Sequence, residues 1–274
     1  DGSLDTTFAG DGTVVTDIAG GNDYGEAVLL QADGKIIVAG TGSSDFALVR
    51  YLPDGSLDPD FDGDGKVIIE IGFSSYAYDA ALQPDGKILI AGLADTFFGL
   101  ARLNPDGSLD ATFSGDGMLT TFFGGDTSIA DAIAVQPDGK IVAAGYIAAS
   151  PSEYIAIARY NPDGSLDTSF SGDGMLTLDF TGGADMGHDL AIQPNGKILL
   201  AGVTYGASPD YALLRLNPDG SLDPSFGSGG LLGIDFAGGV DQGYALALMP
   251  DGRILVAGYA SNGLDYDFAV ARIK

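Results

Sequence analysis

The chain has 274 residues, 12 basic against 38 acidic side chains, a formal net charge of −26, no cysteine and one histidine. That charge repels phosphate backbones and anionic lipid heads, so no nucleic-acid partner is expected, and the missing cysteines exclude disulfides and thiolate metal sites. With 45% hydrophobic residues the chain can build a core, yet no apolar run reaches the roughly 18 residues of a membrane helix, so no membrane insertion is expected.

The first element is a corner, Asp1-Gly2-Ser3-Leu4-Asp5, leading through Phe8 to Gly10-Asp11-Gly12. Four short apolar runs follow: TVVTD at 13–17, EAVLLQ at 26–31, KIIVAG at 35–40 and FALVRY at 46–51. Each is strand length, rich in Val, Ile and Leu, and bounded by Gly, Asp or Pro. The DGSLD phrase then returns at 54, 106, 163 and 219, and Gln-Pro-Asp-Gly-Lys with its variants begins at 31, 83, 136, 193 and 249. The chain is therefore five repeats with a period of 52 to 57 residues.

The repeated letters are first of all turns. In Asn161-Pro162-Asp163-Gly164 the proline presets φ, Asp suits the third position and Gly accepts the left-handed conformation, and Pro137-Asp138-Gly139 does the same between two strands. Of the 38 acids 35 are Asp, so the acidity is mainly turn chemistry.

KIIVAG, KILIAG, KIVAAG, KILLAG and RILVAG do not alternate apolar with polar, so both faces of these strands must be covered. Sheets stacked around a ring achieve that with identical four-stranded units. The expected fold is all-β: one five-bladed β-propeller over residues 1–274, with the Ala-rich run innermost, KIIVAG second, FALVRY third and the strand after GDG outermost. The chain starts with an outermost strand and ends with a third strand, FAVARIK. The N-terminal strand, residues 12–17, is thus expected to join the last blade and close the ring in a monomer, removing two exposed edges. The same strand could instead complete a neighbouring chain's blade and give a strand-swapped assembly. A start at Asp1 without Met suggests a piece excised from a larger polypeptide.

The combination QPDGKI-x-x-AG, A-x-x-RYNPDGSLD and F-x-GDG, present in all five copies, resembles the delta-sixty repeat family. Copy five departs slightly, with Met249 for Gln and Gly227-Ser228-Gly229-Gly230 at the GDG corner. The resemblance implies a β-propeller of bacterial secreted or surface-exposed proteins, hence an extracellular or cell-surface location, and implies no established catalytic residues.

Ten of the twelve basic residues sit at two repeat-fixed positions: Arg50, Arg102, Arg159, Arg215 and Arg272 on third strands, and Lys35, Lys87, Lys140, Lys197 and Arg253 after the hairpin glycine. Obeying the repeat, they read as scaffold, the arginines bonding Asp or carbonyl groups of the DGSLD corner. Phe8, Phe61, Phe113, Phe170 and Phe226 read as a repeated core plug. Asp60, Asp62 and Asp64 match the first half of a calcium loop, but Ile71 stands where its ligand Glu belongs. Calcium is the one cofactor these residues suggest.

Variation is concentrated elsewhere. From the second-strand glycine to the third-strand arginine there are ten positions in the first two copies and thirteen or fourteen in the other three. That link shares a face with the entrance to the innermost strand, where the position five before the Gln reads Glu26, Tyr78, Asp131, His188 and Tyr244. These side chains, with Asp23, Asp185 and Asp241 three residues earlier, are candidates to ring a channel mouth. The bland alternative is that they hydrate a narrow channel and cap turns. Glu26, Asp131 and Asp189 can be cast as the acid and base of a glycoside hydrolase. No motif fixes their separation, and His188 has no Ser or Cys nucleophile signature around it. The expectation is a non-catalytic module binding a protein or a saccharide through the variable face.

Overall fold

The computed structural model describes residues 1–150, 152–180, 182–206, 209–236 and 238–274. Strands and turns make up the described residues, with no helix among them. The chain forms two compact units, Asp1–Thr121 and Phe122–Lys274.

The first unit holds two antiparallel sheets, each a simple meander: β1 (Asp23–Leu30), β2 (Ile36–Gly42), β3 (Asp45–Tyr51) and β4 (Lys66–Ile69), then β5 (Ser75–Leu82), β6 (Ile88–Ala94), β7 (Phe97–Leu103) and β8 (Met118–Thr121). The second unit continues with β9 (Thr127–Val135), β10 (Ile141–Ala149), β11 (Ser152–Tyr160) and β12 (Met175–Leu178). Its fourth sheet is β13 (Asp185–Ile192), β14 (Ile198–Tyr205), β15 (Pro209–Leu216) and β16 (Leu231–Ile234). The last sheet has three strands: β17 (Asp241–Leu248), β18 (Ile254–Ser261) and β19 (Tyr266–Ile273). The strand order within each sheet is the one the apolar runs predict.

In the first four sheets the second and third strands are buried on both faces, as their unbroken apolar sequences require, and Ile88, Leu89 and Ile90 in β6 are all fully buried, whereas β19 of the last sheet is largely exposed. Within each unit the first strands of successive sheets pack against one another, β1 on β5, β9 on β13 and β13 on β17. Ile37, Leu48, Phe61, Ile88 and Ile90 belong to one continuous cluster in the first unit, so each sheet supplies half of the core shared with its neighbour.

The repeated corner is an ion-pair knot. Arg50 donates through Nε to Asp58 Oδ2 at 2.7 Å, Lys35 Nζ reaches the same oxygen at 2.9 Å, and the guanidinium lies 4.5 Å from the centre of the Phe61 ring. A further guanidinium nitrogen of Arg50 donates to the Pro105 carbonyl of the next corner, and the Asp62 amide donates to Asp106 O. Arg102–Asp110–Lys87, Arg159–Asp167–Lys140 and Arg215–Asp223–Lys197 repeat it, over Phe113, Phe170 and Phe226. The basic side chains at repeat-fixed positions are scaffold in these four copies.

One expectation is not met in this structure and another is refined. Residues 12–17 form no strand: Val15 is fully exposed, Tyr51 donates its hydroxyl to Thr16 Oγ1, and Lys66 Nζ donates to the Asp17 carbonyl. The neighbouring sheet offers them no ladder, because β4 already pairs with the outer edge of β3. The extra residues between second and third strands go only partly into loops: in the last sheet residues 262–265 separate β18 from β19, against Ser43 and Ser44 alone between β2 and β3, but in the third sheet the extra residues go into the strands. They lengthen the hairpin arms, from seven residues in β2 and β3 to nine in β10 and β11. The hairpin tips do lie beside the lead-in to each first strand, as Ser43 Oγ on Gly20 O and the Ser261 amide on Val240 O record.

Candidate ligand-binding site

The variable column of the sequence is a column of β-bulges. In β1 the register jumps between Gly25, opposite Gly40, and Ala27, opposite Ala39, leaving Glu26 unpaired. The same jump leaves out Tyr78, Asp131, His188 and Tyr244 in β5, β9, β13 and β17. A bulge re-aims its extra side chain away from the regular two-residue alternation. It also explains the Ala-Gly ending of every second strand: a Cβ on Gly40, Gly92, Gly202 or Gly258 would sit 1.9 Å from the carbonyl oxygen two residues before the bulged residue, and on Gly145 2.0 Å. The scaffold dictates glycine on one strand and leaves the bulged residue opposite free to differ.

In the first unit Glu26 is exposed and Tyr78 half-buried. Near them a cavity of about 520 Å³ opens at the hairpin tips, lined by Asn22, Tyr24, Thr41, Ser43, Ser44 and Tyr76.

In the second unit three bulged residues meet. His188 Nδ1 lies 3.2 Å from Asp131 Oδ2, and the His188 ring stacks on Tyr244 with centroids 4.9 Å apart. Burial raises the Asp131 carboxyl above its ordinary value, against the opposing pull of His188. His188 Nε2 is buried without a hydrogen-bond partner among the described residues.

Aromatic groups extend the row. Tyr244 donates to Gln242 Oε1, and Gln242 Nε2 donates to the Tyr205 hydroxyl at 2.7 Å. Tyr259 tilts against Tyr244 at 5.9 Å and meets the half-exposed Tyr266 edge-on at 4.8 Å. Burial first, then neighbouring tyrosines, push the Tyr259 hydroxyl up to about 12, so it keeps its proton at neutral pH. Asp189, next to the bulge, accepts the Leu246 amide at 2.6 Å; burial raises its carboxyl while that bond opposes the rise. The result is a tyrosine-rich surface with an imidazole, a carboxylate and an amide at one end.

Asp23, Asp185 and Asp241 stand at the starts of first strands. Asp185 and Asp241 are fully buried, and the three carboxylates accept the Ile18, Phe180 and Phe236 amides, the turn-capping geometry of the bland alternative. In the other two sheets the position is Ser75 and Ser128, also buried. Asp60, Asp62 and Asp64 are exposed; Asp64 accepts the Lys66 amide and Asp62 holds a left-handed turn at φ 51°. The carboxylates that do gather among the described residues are Asp210, Asp235 and Asp241, with oxygens within 4.8 Å of one another. Sequence reading missed Tyr205, Tyr259 and Tyr266, whose only signal was their place on the variable-length hairpin arms, and Gln242, two residues before the bulge of β17.

Meandering sheets of three or four strands in tandem, with a repeated corner and a bulge at one variable position, define a β-propeller repeat protein. The chain belongs to the β-propeller family described as a domain of unknown function (DUF5122), whose pattern matches residues 31–61, 83–113, 136–170, 193–226 and 250–274, more than half the chain. No curated protein matches it. Among solved structures it is similar to virginiamycin B lyase from Staphylococcus aureus, solved with quinupristin, at 10% identity over 94% of this chain and 72% of that one, TM-score 0.54. A protein from Lactobacillus plantarum matches at 14% identity over 91% and 70%, TM-score 0.54. A protein from Dyadobacter fermentans matches at 13% over 90% and 76%, TM-score 0.53. At these identities the likeness shows a shared fold and carries no activity across.

Proposed function

We propose that the five sheets are blades of one five-bladed propeller, closed when residues 12–17 add the missing fourth strand to the last sheet. On this reading it is a non-catalytic binding module, secreted or displayed at a cell surface as the delta-sixty resemblance implies, that takes a saccharide on its variable face. Two bare apolar surfaces support closure. Val28 of β1 is 71% exposed where its counterparts Ala80, Ile133 and Leu190 are 5–8% exposed, and Phe268 of β19 is fully exposed where Phe46, Phe98, Ile155 and Tyr211 are at most 2% exposed.

The observation that carries the binding reading is the bulge row Asp131–His188–Tyr244 with its tyrosines. Tyrosine faces stack on the apolar faces of sugar rings while hydroxyl, amide and imidazole groups bond their hydroxyls. An array of defined oligosaccharides, followed by calorimetric titration of the best binder, tests it. Tyr244→Ala and His188→Ala are each expected to weaken that binding about tenfold or more. An array without any binder, or affinity unchanged in both variants, removes the saccharide reading. Turnover that vanishes in Glu26→Gln or Asp131→Asn would move the protein to the hydrolase reading.

A further inference from the structure

We infer that the cavity at the hairpin tips of the first unit is a second ligand site, one that takes a single neutral sugar ring against Tyr24 and Tyr76. Its ligand class rests on the saccharide reading above; its place does not involve the row of the second unit. All its lining residues lie within Asp1–Thr121, so the site is complete in that unit. The cavity measures about 520 Å³, inside the range of roughly 300–1,000 Å³ usual for small-molecule pockets. The aromatic pair is not a demand of the repeat. Tyr24 and Tyr76 stand two residues before the bulged Glu26 and Tyr78, and the same position reads Ile129, Met186 and Gln242 in the later copies. The scaffold accepts aliphatic side chains there, yet β1 and β5, which pack together, both carry tyrosine. Tyr24 is 55% and Tyr76 38% exposed, so the rings are presented to solvent rather than packed into the core.

The rim and floor are fixed in place by the protein itself. Ser43 and Ser44, the turn between β2 and β3, are both left-handed at φ 53° and 70°, where Asn and Gly are the ordinary choice. Backbone strain of this kind collects at ligand clamps. Thr41 Oγ1 accepts the Ala77 amide at 3.1 Å and the Ser44 carbonyl accepts the Ser75 amide at 2.8 Å, so the first hairpin is bonded twice to β5. Ser43 Oγ donates to Gly20 O and anchors the rim. The Asn22 amide, the Ser44 hydroxyl and the two tyrosine hydroxyls make no hydrogen bond to other described residues, and they supply the donors and acceptors that sugar hydroxyls need. In a chain with 38 acidic side chains, none of the described residues lining the cavity is charged. The site therefore offers no cation to an acidic sugar and no carboxylate to an amine. Stacking of C–H faces on tyrosine and neutral hydrogen bonds are what it has, and they suit a neutral ring.

One ring held by two aromatic faces and a few hydroxyls is expected to bind in the millimolar range, weaker than a calorimetric titration of the row registers. Saturation-transfer NMR reads that range. The probes are methyl α-glucoside, methyl α-mannoside and methyl β-galactoside, each with the full chain, its Tyr24→Ala/Tyr76→Ala variant and its Tyr244→Ala variant. Transfer to at least one glycoside is expected from the parent, unchanged in Tyr244→Ala and reduced about tenfold in the double variant. Both tyrosines are exposed, so the double variant is expected to keep the parent's urea midpoint. Transfer lost in Tyr244→Ala and kept in the double variant would assign the rings to the row, overturning this site while the saccharide reading stands. Equal transfer from all three proteins, or none from any, would also overturn this site, and leaves the saccharide reading to be judged on the longer oligosaccharides of the array.

Discussion

Gly92→Ala is expected to lower the stability of the protein by more than about 3 kcal/mol, visible as a large drop in the urea midpoint. The new Cβ would sit 1.9 Å from Tyr76 O and 2.9 Å from Ala77 Cα, backbone atoms of the neighbouring strand with no rotamer to yield. Relief would require pulling β5 from β6 at the bulge, which breaks the ladder and moves Tyr78 together with the face it stands on. Gly233→Ala is the control. It is also a strand glycine, with no positive φ, and a Cβ there meets nothing within 4 Å, so the change is expected to be neutral or slightly stabilising. Equal small effects at both positions would show that the bulge carbonyl does not select glycine.

The second large effect belongs to the corner knot. Asp110 is buried and receives Arg102 Nε at 2.7 Å, Lys87 Nζ at 2.8 Å and the Thr112 hydroxyl at 2.7 Å. Asp110→Ala strands a buried guanidinium and is expected to cost about 3–5 kcal/mol. Burial alone would raise the Asp110 carboxyl; the Lys87 and Thr112 hydrogen bonds and the Arg102 charge outweigh it and hold the group well below the ordinary carboxylate range, as their counterparts do for Asp167. A carboxyl depressed in the folded state contributes stability that is complete above its unfolded value, about 3.9, and is lost as pH falls toward the folded value. Asp58 and Asp223 are shifted the same way, so the knots add. Asp45, Asp131 and Asp189, raised by burial, act in the opposite sense and favour the folded state more at low pH, but they are three against the four knot carboxylates. Urea midpoints are therefore expected to be level from pH 7 to about 5 and to fall steeply below about 4, less steeply in Asp110→Ala.

The repeat made much of the fold legible. Five copies of one turn phrase fix the unit, unbroken apolar runs require strands covered on both faces, and Arg–Asp–Phe spacing that never varies announces a structural knot. The variable column Glu26, Tyr78, Asp131, His188 and Tyr244 was visible too, but its cause was not. A bulge is a property of two strands together, and its sequence signal is divided between the odd residue on one strand and the Ala-Gly across from it. Asp185 and Asp241 were hard to read for a related reason. Carboxylates that cap backbone amides read the same, letter for letter, as carboxylates offered to a ligand, and only burial separates them. The tyrosines around Tyr244 come from different strands at unequal sequence distances, so no spacing could group them.

On the proposed reading repeat-fixed residues hold the fold while the bulged residues recognise the ligand. One protein carrying Asp131→Ala, His188→Ala and Tyr244→Ala together tests this most directly, because removing the row as a whole leaves no buried group of the pair without its partner. Measured by calorimetric titration with the best oligosaccharide of the array, beside a urea unfolding curve, the variant is predicted to lose binding while its unfolding free energy stays within about 1 kcal/mol of the parent. Retained binding, or collapse of the fold with it, would contradict the claim.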